Sequence, residues 1–97
     1  MAYKILIRRK FKNATLKDIS AMLIQARSNA MRQEGYISSE SLVSCNDPSS
    51  VLVISMWHSK EDWDNYKNST ARKENERKYS EVLEGETQYE AFKMGLT

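Results

Sequence analysis

The segment Val51-Leu-Val-Ile-Ser-Met-Trp57 constrains the fold more than any other, because it is apolar on both sides of an extended strand. Alternation puts Val51, Val53, Ser55 and Trp57 on one side and Leu52, Ile54 and Met56 on the other, so both sides need cover. A chain of 97 residues has room for one core, and a small chain buries a smaller share of its surface than a large one. Cover for the second side is therefore the problem that the fold has to solve. Hydrophobic residues make up 40% and charged residues 29% of the chain, which suits a globular domain and is too apolar for a disordered one.

The rest of the chain supplies the partners. Tyr3 to Phe11 reads as a first strand, with Tyr3, Ile5, Ile7 and Phe11 on one side and Lys4, Leu6, Arg8 and Lys10 on the other. Thr15 with Asp18 resembles a capping box, after which Leu16, Ile19, Met22, Leu23, Ala26 and Ala30 recur at helical spacing up to Gly35. Tyr36 to Cys45 alternates again, placing Ile37, Ser39, Ser41, Val43 and Cys45 on one face, and the turn around Pro48 joins it to Ser50–Trp57 as a hairpin. Ser59 with Asp62 repeats the capping pattern before a short helix carrying Trp63 and Tyr66. Asn68-Ser-Thr70 breaks that helix and starts another over Ala71 to Leu83, with Glu74 and Lys78 as a favourable pair; Gly85 stops it, and Thr87 to Phe92 closes the chain as a strand.

Strand, helix, strand, strand, helix, strand is the split βαβ order of ferredoxin-like α+β domains, here one domain over residues 1–97: a four-stranded antiparallel sheet with its helices on one face. Leaving the other face in water costs about 25 cal/mol per Å² of apolar surface. A second copy of the chain, sheet against sheet, is the cover expected, giving a barrel across a homodimer.

Three stretches resemble the antibiotic biosynthesis monooxygenase domain: Gly35-Tyr-Ile-Ser-Ser-Glu-Ser-Leu42, Ser55-Met-Trp-His-Ser-Lys-Glu-Asp-Trp63, and the following Tyr66, Ser69 and Arg72. The resemblance implies a dimeric α+β barrel with a small-molecule pocket between sheet and helices. It also implies one of several chemistries: cofactor-independent oxidation of phenols or quinols, haem degradation, or no known activity. The haem-degrading branch is recognised by a first-strand asparagine, a helical tryptophan and a later histidine that ligates iron. Here the first strand has no asparagine, Tyr66 holds the tryptophan's place, and the histidine's place falls near Glu76.

Within that frame the candidate catalytic residues are Tyr66, His58 and Arg8. A histidine can take a phenolic proton at neutral pH, although His58 beside Ser59 also reads as an exposed residue at a helix start. Arg8 could hold a phenolate if its strand face is the cavity side, and otherwise belongs to a solvated strand end. Trp57, Trp63 and Tyr66 could form an aromatic wall for a flat substrate or simply pack the core. Ser39, Ser41 and Ser55 would leave volume and hydrogen-bonding groups, and Arg72 could orient a substrate or pair with Glu76 on the surface.

Other classes find no support. Fifteen basic and thirteen acidic residues are interleaved to a net charge of +2, leaving no field to draw in nucleic acid or an anionic membrane. Phosphate loops, paired metal ligands and hydrolase triads are missing, as is the aromatic signature of RNA-binding domains. The lone Cys45 forms no internal disulfide, and with no apolar leader segment the expectation is a cytoplasmic protein. No metal or other cofactor is expected, and the partners expected are a second subunit and a small aromatic molecule.

Overall fold

The computed structural model describes residues 2–12 and 16–95. Its strands are β1 (Tyr3–Lys10), β2 (Tyr36–Val43), β3 (Ser50–Trp57) and β4 (Gln88–Lys93), and its helices are α1 (Leu16–Met31), α2 (Lys60–Lys67) and α3 (Thr70–Lys78). The sheet runs β2-β3-β1-β4 with every neighbouring pair antiparallel. This is the four-stranded α+β, ferredoxin-like arrangement, with β1 and β3 at its centre. Their register pairs Ile5 with Ser55 and Ile7 with Val53, so one face collects Ile5, Ile7, Val51, Ser55 and Trp57 beneath the helices.

Two clusters fill the space there. Ile5, Ile7, Ala30, Trp57, Trp63 and Tyr66 form one, while Phe11, Ile19, Met22 and Val51 form the other. Burial of each large apolar side chain is worth about 1.5–3 kcal/mol, which makes these clusters the main source of stability. The helix starts after β3 follow the capping logic. Ser59 Oγ accepts from the Asp62 amide at 3.0 Å, and Ser69 Oγ accepts from the Arg72 amide at 3.3 Å. The first capping pair lies partly at Thr15, outside the described residues.

The structure departs from the sequence expectations at one bulge and at several element boundaries. A β-bulge between Tyr36 and Ser38 pairs Tyr36 with Trp57 and Ser39 with Ser55, so Tyr36 joins the helix-covered face and only the alternation from Ser39 onward follows the simple pattern. The strand ends at Val43, where Ser44, Asp47 and Ser49 build the hairpin turn through side chain to backbone hydrogen bonds. Helix α1 ends at Met31, and Gly35 (φ 85°) sits in a separate turn four residues later. The long final helix is instead α3 followed by a 3-10 turn over Ser80–Val82, which lets Leu83 bridge to Phe11. Leu16 is 76% exposed and does not belong to the core.

The other sheet face carries no helix. Leu6, Leu52, Ile54 and Met56 are half-buried there, and Leu42 and Phe92 are 43% and 46% exposed. Among the described residues no helix is long and apolar enough to cross a membrane.

Candidate functional site

Between the helix-covered sheet face and the helices lies a void of about 420 Å³ of empty space, its solvent-open mouth included. It is tight inside: only about 40 Å³ is open to the centre of a water molecule, so any sizeable ligand must be thin and must displace side chains.

Its aromatic wall comes from the strand-to-helix passage. Trp57 ends β3 and is fully buried, and the Ser59 cap turns the chain so that Trp63 and Tyr66, one helical turn apart on α2, fall beside it. Trp57 and Tyr66 stack at 5.2 Å with 23° between planes, whereas Trp63 tilts against both at 5.9 Å. Trp57 Nε1 donates to Ser55 Oγ at 3.1 Å, and the Tyr36 hydroxyl meets Ser39 Oγ at 2.8 Å, so the small hydroxyls of the sheet serve the rings around them. Ser39, Ser41 and Ser55 form the floor of the void. The Tyr66 hydroxyl donates to the Ala26 carbonyl of α1 at 3.1 Å, and burial pushes its pKa above the ordinary 10.0, although the Arg72 and Arg9 charges pull the other way. Tyr66 is thus a neutral, occupied donor.

Arginines make the other side. Arg9 on β1 and Arg72 on α3 are 5% and 6% exposed, and Arg27 on α1 stands exposed at the mouth. Glu76 bridges the buried two: Arg9 Nη2 donates to Glu76 Oε1, and Arg72 Nη2 forms an ion pair with the same oxygen at 3.2 Å. Arg72 also donates to the Tyr89 hydroxyl and lies over the rings of Tyr89 and Trp63 at 5.0 and 5.7 Å. The Arg72–Glu76 pair weighed from sequence is therefore real but sits at the edge of the core rather than on the surface.

The structure gathers Trp57, Trp63, Tyr66, Ser39, Ser41, Ser55 and Arg72 around one void. Arg8 and His58 are elsewhere. Arg8 projects from the opposite sheet face and pairs with Glu90 at 3.2 Å, both side chains about half exposed. His58 is exposed at the β3–α2 junction, where its amide donates to the Gly35 carbonyl at 2.8 Å. Neither side chain lines the void. The residue that takes the place expected for Arg8 is its neighbour Arg9. The signal was present, since the alternation that puts Ile5, Ile7 and Phe11 on one side puts residue 9 there as well. Arg27 and Tyr89 carried no sequence signal of comparable strength.

Among the described residues no cluster of three or more His, Cys, Asp or Glu could hold a metal ion. The void's lining also contains no imidazole or thiolate to ligate haem iron, and its one phenol is engaged by Ala26, so these residues do not fit that group.

The fold has many relatives of known structure. A conserved protein from Methanosarcina mazei Go1 superposes with a TM-score of 0.86 at 17% identity, covering 98% of this chain and 94% of its own. SnoaB, a cofactor-independent oxygenase from Streptomyces nogalater, gives 0.85 at 10% identity, covering 99% and 95%. At such identities the likeness is one of fold. No curated relative matches the chain in sequence. The model of the antibiotic biosynthesis monooxygenase family matches residues 3–78, which takes in the whole aromatic wall and the Arg9–Glu76–Arg72 cluster. The chain belongs to the antibiotic biosynthesis monooxygenase family.

Proposed function

We propose that the void binds a flat phenol or quinol and that the protein oxidises it with molecular oxygen as a cofactor-independent monooxygenase. The observation that carries this reading is a narrow slot walled by Trp57, Trp63 and Tyr66 and bordered by guanidinium groups. The rings hold a planar substrate, and the guanidinium charges favour its phenolate over the phenol. The proton departs to solvent at the mouth, because the Tyr66 hydroxyl is already donating. The electron-rich phenolate passes electrons to oxygen, a carbon–oxygen bond forms at an unsubstituted ring carbon, and the O–O bond breaks. One oxygen atom stays on the ring as a quinone carbonyl and the other leaves as water. The phenol supplies all the electrons. SnoaB, similar in fold, is described as cofactor-independent, which agrees with this scheme.

The working unit is a homodimer in which the bare sheet faces cover each other. Leu6, Leu52, Ile54 and Met56 supply the apolar centre of that contact. A free, exposed Cys45 suits a reducing compartment, and we place the protein in the cytoplasm.

Oxygen consumption with a panel of naphthols and hydroquinones tests the reading. Turnover that falls at least tenfold in Arg72→Ala supports it, and an equal rate in that variant and in the unaltered protein overturns it. A second reading, a binding module without chemistry, is favoured by the absence from the lining of a histidine or carboxylate that could take the phenolic proton. A bound phenol recovered unchanged after aerobic incubation would establish that reading instead.

A further inference from the structure

We infer that the ligand of this void is a hydroxyaryl carboxylate, its ring against the tryptophan wall and its carboxylate held by Arg9 and Arg27. The inference rests on the void being the binding site and deepens that reading by naming the acid group. Three guanidinium groups line the space, no carboxylate does, and Glu76 behind it, shared by Arg9 and Arg72, sets one negative charge against the three positive ones. Two positive charges remain. A phenolate would match one and a carboxylate the other.

The donors that remain free point the same way. Arg72 is committed to Glu76 and Tyr89. Arg9 is buried, yet its Nε has no hydrogen-bond acceptor, although a buried donor left unpaired is strongly disfavoured. Arg27 makes no ion pair with any described residue and stands at the mouth. A buried guanidinium in the lining and an exposed one at the mouth suit a planar acid, which adds little thickness to an aromatic ring and accepts charge-assisted hydrogen bonds through two oxygens.

Calorimetric titration with 1-hydroxy-2-naphthoate and with 1-naphthol separates the two levels of this reading. The acid is expected to bind about tenfold more tightly than the naphthol, as one charge-assisted hydrogen bond provides, and the margin should narrow as salt is raised. Arg27→Gln, an exposed change that leaves the core alone, should weaken the acid several-fold more than the naphthol and so remove most of the margin, and an unchanged ratio of the two affinities overturns the part given to Arg27. Glu76→Gln should tighten the acid several-fold, an effect that disordered packing would not produce. Equal affinity for acid and naphthol overturns the carboxylate and leaves the aromatic slot standing. No binding of either compound overturns both.

Discussion

Gly35 joins the first half of the fold to the second, and replacing it with alanine gives a sharp test of how closely the turn and α2 are packed. At this residue φ is 85°, and an added Cβ would lie 2.1 Å from Asp62 Oδ2, 2.3 Å from its Cγ and 2.5 Å from its Cβ. Moving only the carboxylate tip cannot relieve this, because the Asp62 Cβ itself is too near. Two costs combine. The left-handed backbone costs an alanine about 1–2 kcal/mol, and forcing a methyl into occupied space costs about 1–3 kcal/mol more. Reduced freedom of the unfolded chain returns about 0.4–1 kcal/mol. A net loss of about 2–4 kcal/mol follows, or about 10–25 °C in Tm for a domain of this size. Gly85 provides the control, since it also has positive φ, 72°, but nothing lies within 4 Å of an added Cβ. Gly85→Ala should lose only the backbone part, about 1 kcal/mol. Urea unfolding followed by the buried tryptophans measures both. Equal losses at the two glycines would refute the packing argument, as would a Gly35→Ala cost that adds simply to that of Asp62→Gly rather than shrinking in that background.

Three further outcomes are expected. Tyr66→Phe removes the hydrogen bond to Ala26 and should cost about 1 kcal/mol near neutral pH. Because burial raises the folded pKa of Tyr66, its contribution is complete below the ordinary 10.0 and is lost as pH rises beyond it, so the variant should lose less stability than the unaltered protein in alkaline melts. Asp47 behaves in the opposite sense: hydrogen bonds from the Ser49 side chain and backbone hold its carboxyl below the ordinary 3.8, so the turn's stabilisation persists above that value and fades as pH falls through the folded pKa. Carbon-detected titration should find Asp47 below 3.8 and Ser49→Ala moving it upward; an unmoved midpoint would remove the hydroxyl from the account. Ile54→Glu, on the bare sheet face, should turn a dimer into a monomer in light scattering across a dilution series, whereas a monomeric unaltered protein would mean that this face is covered in some other way.

How far the sequence disclosed this structure depends on how local each cause is. The strands, the cap at Ser59 and the helix break at Asn68-Ser-Thr70 were legible because period-two alternation and side-chain capping act within a few residues. The bulge at Tyr36 was not, since an extra residue in one strand is fixed by the partner it pairs with, here Trp57. It matters to the site, because without it Tyr36 would point away from the Trp57 ring that it meets edge-on at 5.6 Å. The aromatic wall could be named within the frame of the family resemblance, yet whether its rings were core or pocket could not. They prove to be both, packed against one another while bordering the void.

The arginines show where a local rule is sufficient but runs against the usual chemistry of a core. Alternation along β1 places residue 9 on the same side as Ile5, Ile7 and Phe11, whereas the neighbouring Arg8 and Lys10 make the strand end look solvated. Taking a guanidinium out of water costs several kcal/mol, and a buried ion pair seldom stabilises a fold more than apolar residues of similar size would. Position 9 is therefore a poor choice for stability alone. Glu76, 67 positions away in sequence, offsets part of that cost, but it is shared with Arg72 and leaves Arg9 Nε without an acceptor. A local rule broken inside a core and only half compensated is the pattern expected where a fold has been given a task. The carboxylate proposed for the slot would supply the remaining compensation, and the slot beside the tryptophans is lined by Arg9 itself.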